Sequence, residues 1–296
     1  MADNIYWLGV FLAILAGSTT QTGSVFQKKA VNEVSGELEF MRSLVRRPTW
    51  ILGIILSYGV SSIFYLIAQI FIGPALLPGL MAFGLIVLTL GSIKIVGEKL
   101  KIDELIGILL MILGTFVLSM SGLSIDITEI NILNVEFAIR TFIFTAVIIL
   151  LSLSCQFFQK KSERFKGILL AILSGFMFSL SNFWTSQLMA VIADVLSGNF
   201  IITQLFIFVI SIFFLIITNI FGVATIQHAF KAGQASNMIP IQHVPILIIP
   251  IFIYFAVFLL VAPTILSVVL LIIGIIIILT SSFLLGKRSA KMEEIK

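Results

Sequence analysis

The sequence predicts an all-α polytopic membrane protein of about nine transmembrane helices in a 4+1+4 inverted-repeat bundle, on three observations. Of 296 residues, 59% are hydrophobic and 11% charged, with a mean hydropathy of +1.19. A water-soluble domain has no interior large enough to hide that much apolar surface. The apolar residues also fall in runs of about 20, the length a helix needs to cross the hydrocarbon layer, and not in the ~10-residue alternating segments of a β-barrel. Finally, one segment of the first half recurs in the second. This composition excludes disorder and a disulfide scaffold, since the single Cys155 has no internal partner.

The elements follow from apolar runs read against charge and turn punctuation. They predict spans at about 5–26, 50–72, 75–96, 104–121, 137–155, 167–189, 200–227, 237–260 and 264–285. Met1-Ala2-Asp3-Asn4 lacks a basic leader and the first run is full length, so the first span is expected to be retained. The longest connection, 27–49, carries Lys28, Lys29, Glu33, Glu37, Glu39, Arg42, Arg46 and Arg47. It is too charged to cross, and its latter part suits a short helix on the headgroups.

Orientation follows from the basic residues. The odd-numbered connections and the C-terminal tail hold 16 of the 18 Lys and Arg, whereas Lys94 and Arg140 fall near span ends. The positive charge therefore orients the chain and is no nucleic-acid surface. The positive-inside rule puts the N-terminus outside and the C-terminus in the cytoplasm, in the plasma membrane.

Gly9-Val10-Phe11-Leu12-Ala13-Ile14-Leu15-Ala16-Gly17 matches Gly167-Ile168-Leu169-Leu170-Ala171-Ile172-Leu173-Ser174-Gly175 at six of nine positions. Both run on into polar patches, Ser18 to Ser24 and Ser179 to Gln187. One copy enters the membrane from outside and the other from inside. The expected division is residues 1–122 as the first repeat, 123–160 as a linking span, and 161–296 as the inverted second repeat with a cytoplasmic tail. Secondary transporters are built so, with the substrate near the midplane between the halves.

No hydrolase, protease or nucleotide-binding motif is present, and every Asp and Glu falls in a loop or at a span edge, so no enzyme and no cofactor are expected. The interior is expected to hold neutral polar groups and interrupted helices. Gly73-Pro74-Ala75-Leu76-Leu77-Pro78-Gly79 is read as opening the third span, and Ser236-Asn237-Met238-Ile239-Pro240 as opening the eighth. Such paired interruptions point to a transport site, although proline is also a common helix start. The pathway candidates are Gln21, Thr22, Tyr65, Gln69, Pro78, Asn182, Thr185, Asn219, Asn237, Pro240, Gln242 and His243. On the first span Ser18, Gln21, Thr22 and Val25 are expected to share a face. An amide facing lipid would go unsatisfied, so all these groups are expected to face inward, where helix-to-helix hydrogen bonding competes with substrate binding. His243 is the ionisable side chain expected well inside a span, as a proton relay or a structural group. Acids at the outer mouth would be Asp126, Glu129, Glu136 and Asp194. No metal-ligating set is assigned.

Four stretches resemble the drug/metabolite transporter superfamily, EamA-like, and within it the NIPA-type magnesium transporters. They are Gly9 to Lys29, Phe71 to Pro78, Gly97-Glu98-Lys99-Leu100 with Gly107 to Gly114, and Ala229 to Ile241. The chain differs from that family at Phe258 to Pro263 and at Gln242-His243. The resemblance implies a secondary transporter working by alternating access, with Mg²⁺ or another divalent cation as substrate. The residues alone leave two other readings open: an exporter of an organic metabolite, amino acid or drug-like cation, and a non-transport membrane scaffold. The expected partners are the lipid bilayer and a small solute or divalent cation, with no nucleic acid; a homodimer stays open.

Overall fold

The computed structural model of the chain describes residues 2–34, 40–72, 76–123 and 132–293. Among the described residues nine helical segments are long and apolar enough to cross a membrane: Tyr6–Asn32, Pro48–Ile72, Leu77–Val96, Ile102–Ser119, Val135–Lys161, Lys166–Ser197, Ile202–Ala232, Ala235–Val257 and Ile265–Lys287. They are called spans one to nine below. This is an integral membrane protein with a polytopic helical bundle, as the apolar runs predict. Several spans outrun those predictions. Span one continues to Asn32, which carries Lys28 and Lys29 out of the expected loop and onto the helix. Span six has 32 residues, about 48 Å at 1.5 Å per residue, so its ends stand beyond a hydrocarbon layer of about 30 Å. A short helix, Phe40–Leu44, lies in the first connection as expected.

Both proline segments stand at the starts of spans three and eight, as predicted, but neither Pro78 nor Pro240 breaks its helix there. Pro78 stands in the first turn of a short helix, Leu77–Met81, where its missing N–H costs nothing. The break follows at Ala82 and Phe83, before the next helix, Gly84–Gly91. The helix Ala235–Phe252 runs unbroken through Pro240, Pro245 and Pro250, each of which offers no N–H to the carbonyl four residues back. The remaining irregularities are π-helical turns at Ile55–Val60, Ser92–Val96 and Ile253–Val257. Pro74 lies outside the described residues.

Packing follows one pattern in both halves. Span one lies against spans two and three, span six lies against spans seven and eight, and spans four and nine pack on each other. Helices in lipid gain little from apolar burial and depend on close contact through small residues. Accordingly, a Cβ added at Gly17 would meet the Met81 backbone of span three, and one at Gly175 the Gln242 carbonyl of span eight. Gly107 and Gly114 seat the side chains of Leu285 and Ile278 between spans four and nine, while Ser281 donates to the Gly107 carbonyl at 2.6 Å. Span five lies against span six and the far end of span eight.

Candidate functional site

A cavity of about 180 Å³ opens between spans one, two, six, seven and eight. Helical spacing builds its walls. Thr20, Gln21, Ser24 and Gln27 recur at three- and four-residue steps on span one, and Ile239, Gln242, His243 and Ile246 do so on span eight. Ser57 and Tyr58 face them from span two, Phe178 and Asn182 from span six, and Ile226 and Phe230 from span seven. The Tyr58 and Phe178 rings lie nearly parallel, with centroids 6.1 Å apart, and so bridge the two halves.

Hydrogen bonds fix most of these groups. Ser57 donates to the Thr20 carbonyl at 2.9 Å and accepts from the Gln27 amide at 3.0 Å. Gln242 donates to Ser174 at 2.7 Å, which donates onward to the Gly222 carbonyl at 2.7 Å. That arrangement locks spans six, seven and eight together. His243 Nδ1 lies 2.7 Å from the Ile239 carbonyl. A carbonyl only accepts, so Nδ1 carries a proton, and Nε2 is an acceptor whenever the ring is neutral. Gln21 differs from its neighbours. It is 4% exposed, and its Oε1 has no hydrogen-bond donor among the described residues. A buried amide oxygen left in that state costs about 1–3 kcal/mol.

The hydrogen bonds described between spans one to four and spans six to nine gather at one end, the basic one. Gln227 donates to Gln27 at 2.6 Å. Lys28, buried on span one, donates to the carbonyls of Phe230 and Gly233 at the C-terminal end of span seven, where the helix dipole favours a cation. Glu98, also buried, accepts from the backbone N–H groups of Ala235 and Ser236 at 2.6 and 3.2 Å and from the Ser236 hydroxyl at 2.6 Å. The start of span eight is thus capped by a carboxylate from the first half. Glu104 accepts from the Asn237 amide at 2.7 Å. Val31, Phe40, Leu44, Phe230 and Met238 close the same end with an apolar plug. Glu98 and Glu104 stand at span edges, as expected of the acidic residues, yet both are buried because the start of span eight covers them.

Of the predicted pathway residues, Gln21, Asn182, Gln242 and His243 meet in this cavity. The others are placed elsewhere. Thr22 donates to the Ser18 carbonyl on its own helix and does not line the cavity, where span one presents Thr20, Gln21, Ser24 and Gln27 instead of the expected set. Tyr65 packs with Ala13, Ala68 and Leu77. Gln69 is half-buried and Pro78 exposed. Thr185 donates to the Ser181 carbonyl, and Asn219 to the Ser181 hydroxyl. Asn237 is fully buried at Glu104 with its Oδ1 lacking a donor among the described residues, and Pro240 is buried within span eight. Asn182 is exposed, contrary to the inward placement expected for an amide, at the cavity's open side. Of the acids expected at the outer mouth, Asp194 accepts from Gln204 at 2.7 Å, Glu136 is exposed, and Asp126 and Glu129 lie outside the described residues. Gln27, Ser57 and Tyr58 went unnoticed in the sequence. A signal for Gln27 was present in the i, i+4, i+7 spacing of Thr20, Ser24 and Gln27 about Gln21. Among the described residues, no group of three or more His, Cys, Asp or Glu could hold a metal ion.

The family described as magnesium transporter NIPA matches this sequence over residues 4–291. No curated protein matches, and no solved structure does.

Proposed function

Because the chain belongs to the magnesium transporter NIPA family and is therefore a membrane transporter, we propose that Mg²⁺ passes through the cavity at Gln21 with much of its water shell, by alternating access. The observation that carries this reading is the buried Gln21 Oε1 without a donor, because a cation or its bound water would complete it. Mg²⁺ is a hard cation that prefers oxygen ligands and gives up water reluctantly. A cavity of about 180 Å³ suits this, since one water needs about 10–15 Å³ of such space. The neutral oxygens of Ser24, Ser57, Tyr58, Asn182 and Gln242 would contact the shell and not the ion. The organic-metabolite and scaffold readings are not favoured by the family membership.

In this reading residues 1–122 and 161–296 are inverted repeats joined by a linking span at 123–160, and the basic end is cytoplasmic, in the plasma membrane. Support comes from the alternation of basic connections and from the matching contacts of Gly17 and Gly175. The structure then corresponds to a state closed toward the cytoplasm, held by Lys28, Gln27, Glu98 and Glu104 across the two halves. Release of the ion inward requires those bonds to part.

The test is Mg²⁺ uptake by purified protein in liposomes carrying an Mg²⁺ indicator dye. Gln21→Leu should lower uptake about tenfold, the equivalent of losing roughly 1.4 kcal/mol of interaction, with the thermal midpoint of the protein unchanged or raised. Gln21→Asn should retain part of the flux. Wild-type uptake in Gln21→Leu would overturn the assignment.

A further inference from the structure

A second cavity, of about 560 Å³, lies away from the ion path and is larger. It is a groove between span five and the faces of spans six, eight and nine, and its walls are apolar apart from the two ends. Phe144, Val147 and Leu151 form one wall, with Phe176, Ile248 and Phe252 opposite. Val147 and Leu151 are 46% and 43% exposed, so the groove opens toward the bilayer. Arg140 closes one end, and from there to Leu151 the helix rises about 16 Å.

Arg140 is the informative residue. Its Nε donates to the Val257 carbonyl at 2.9 Å, a group at the end of span eight that the helix itself no longer satisfies. Its Nη1 stands 3.9 Å from Glu136 Oε2, beyond hydrogen-bond range, and the Glu136 side chain is 79% exposed. The guanidinium is thus anchored by one N–H while others remain to bind, beside a carboxylate turned outward. A cation over an apolar groove with an anion one helical turn further out is the complement of an amine-bearing phospholipid read upward: acyl chain, phosphate, amine.

We propose that this groove binds a glycerophospholipid whose headgroup carries an ammonium. One acyl chain lies along Phe144, Val147 and Leu151, the phosphate takes the remaining N–H groups of Arg140, and the headgroup nitrogen lies against Glu136. Planar, forked donors suit a phosphate. The bound chain fills the gap between the linking span and the rest of the bundle.

The experiment is native mass spectrometry of the purified full-length protein, equilibrated in micelles with equimolar phosphatidylethanolamine and phosphatidylglycerol. Wild type should retain phosphatidylethanolamine at least threefold over phosphatidylglycerol. Glu136→Gln should erase or reverse that preference, because the amine loses its partner while the phosphate site stands. Arg140→Gln should lower retention of both lipids about fivefold or more, and Arg140→Lys should restore part of it. Val147→Trp should displace both lipids with the headgroup residues intact. Retention unchanged in Arg140→Gln and Val147→Trp would overturn the site, as would detergent alone in the wild-type groove. A preference untouched by Glu136→Gln would overturn the headgroup assignment.

Discussion

Gly17 and Gly175 occupy matching places in the two halves of the bundle: a Cβ on Gly17 would fall 2.1 Å from the Met81 carbonyl oxygen, and one on Gly175 would fall 2.4 Å from that of Gln242. Both are backbone approaches that only glycine permits, and both end the nonapeptides that align in the sequence. They set how closely span one lies on span three and span six on span eight, and so fix the helices that wall the cavity. Gly17→Ala and Gly175→Ala should each destabilise the protein by about 1–3 kcal/mol, the usual cost of overpacking. Gly59→Ala should not, since its nearest neighbour is the Ile55 side chain at 3.8 Å. Thermal denaturation in detergent reads this directly. Equal midpoints for Gly17→Ala and Gly59→Ala would refute the packing role.

The basic end is predicted to be cytoplasmic. In a Cys155→Ser background, Ser197→Cys, exposed at the end of span six, should react with an impermeant maleimide added to intact cells. Ser162→Cys, at the start of the connection after span five, should react only after permeabilisation. The reverse pattern would invert the topology.

Much of the fold was legible because lipid imposes a simple rule: apolar runs of fixed length and charges between them. That rule located nine spans and the short helix after the first. It could not place Lys28 or Glu98, which look like ordinary loop charges in sequence. Their burial depends on which helix ends meet across the halves, at the Phe230 and Gly233 carbonyls and the Ala235 N–H. The cavity was half legible for a related reason. An amide on an apolar helix announces that it needs a partner, and Gln21, Gln242 and Asn182 did so. Whether that partner is a neighbour, as for Asn219, or an open cavity is decided by helix rotation. Pro240 misled because a proline near a run's edge reads as a start, whereas an unbroken helix runs through it.

The bonds at the basic end should act as a gate. Lys28→Met removes the cation from the end of span seven and leaves the Phe230 and Gly233 carbonyls unsatisfied there. With a reporter at Ser24→Cys on the cavity wall, labelling by a small charged thiol reagent from the cytoplasmic side should rise at least threefold. Unchanged labelling would show that Lys28 holds no gate.

His243 predicts a pH dependence. When the ring is neutral Nε2 is an acceptor, and protonation there adds positive charge beside the proposed ion path. Mg²⁺ flux should therefore fall as the pH is lowered far enough for the ring to take up a second proton. His243→Gln cannot titrate and should flatten the profile. A fall of the same depth in His243→Gln would assign the pH effect elsewhere.

The most direct measurement is Mg²⁺ flux into liposomes containing only the purified wild-type protein, with an imposed membrane potential, beside a panel of amino acids and organic cations. A potential contributes about 2.3 kcal/mol per elementary charge per 100 mV, and twice that for a divalent ion. The account predicts Mg²⁺ uptake that rises with an inside-negative potential and no exchange of the organic panel. Mg²⁺ flux no greater than in empty liposomes, together with exchange of an organic solute, would contradict it.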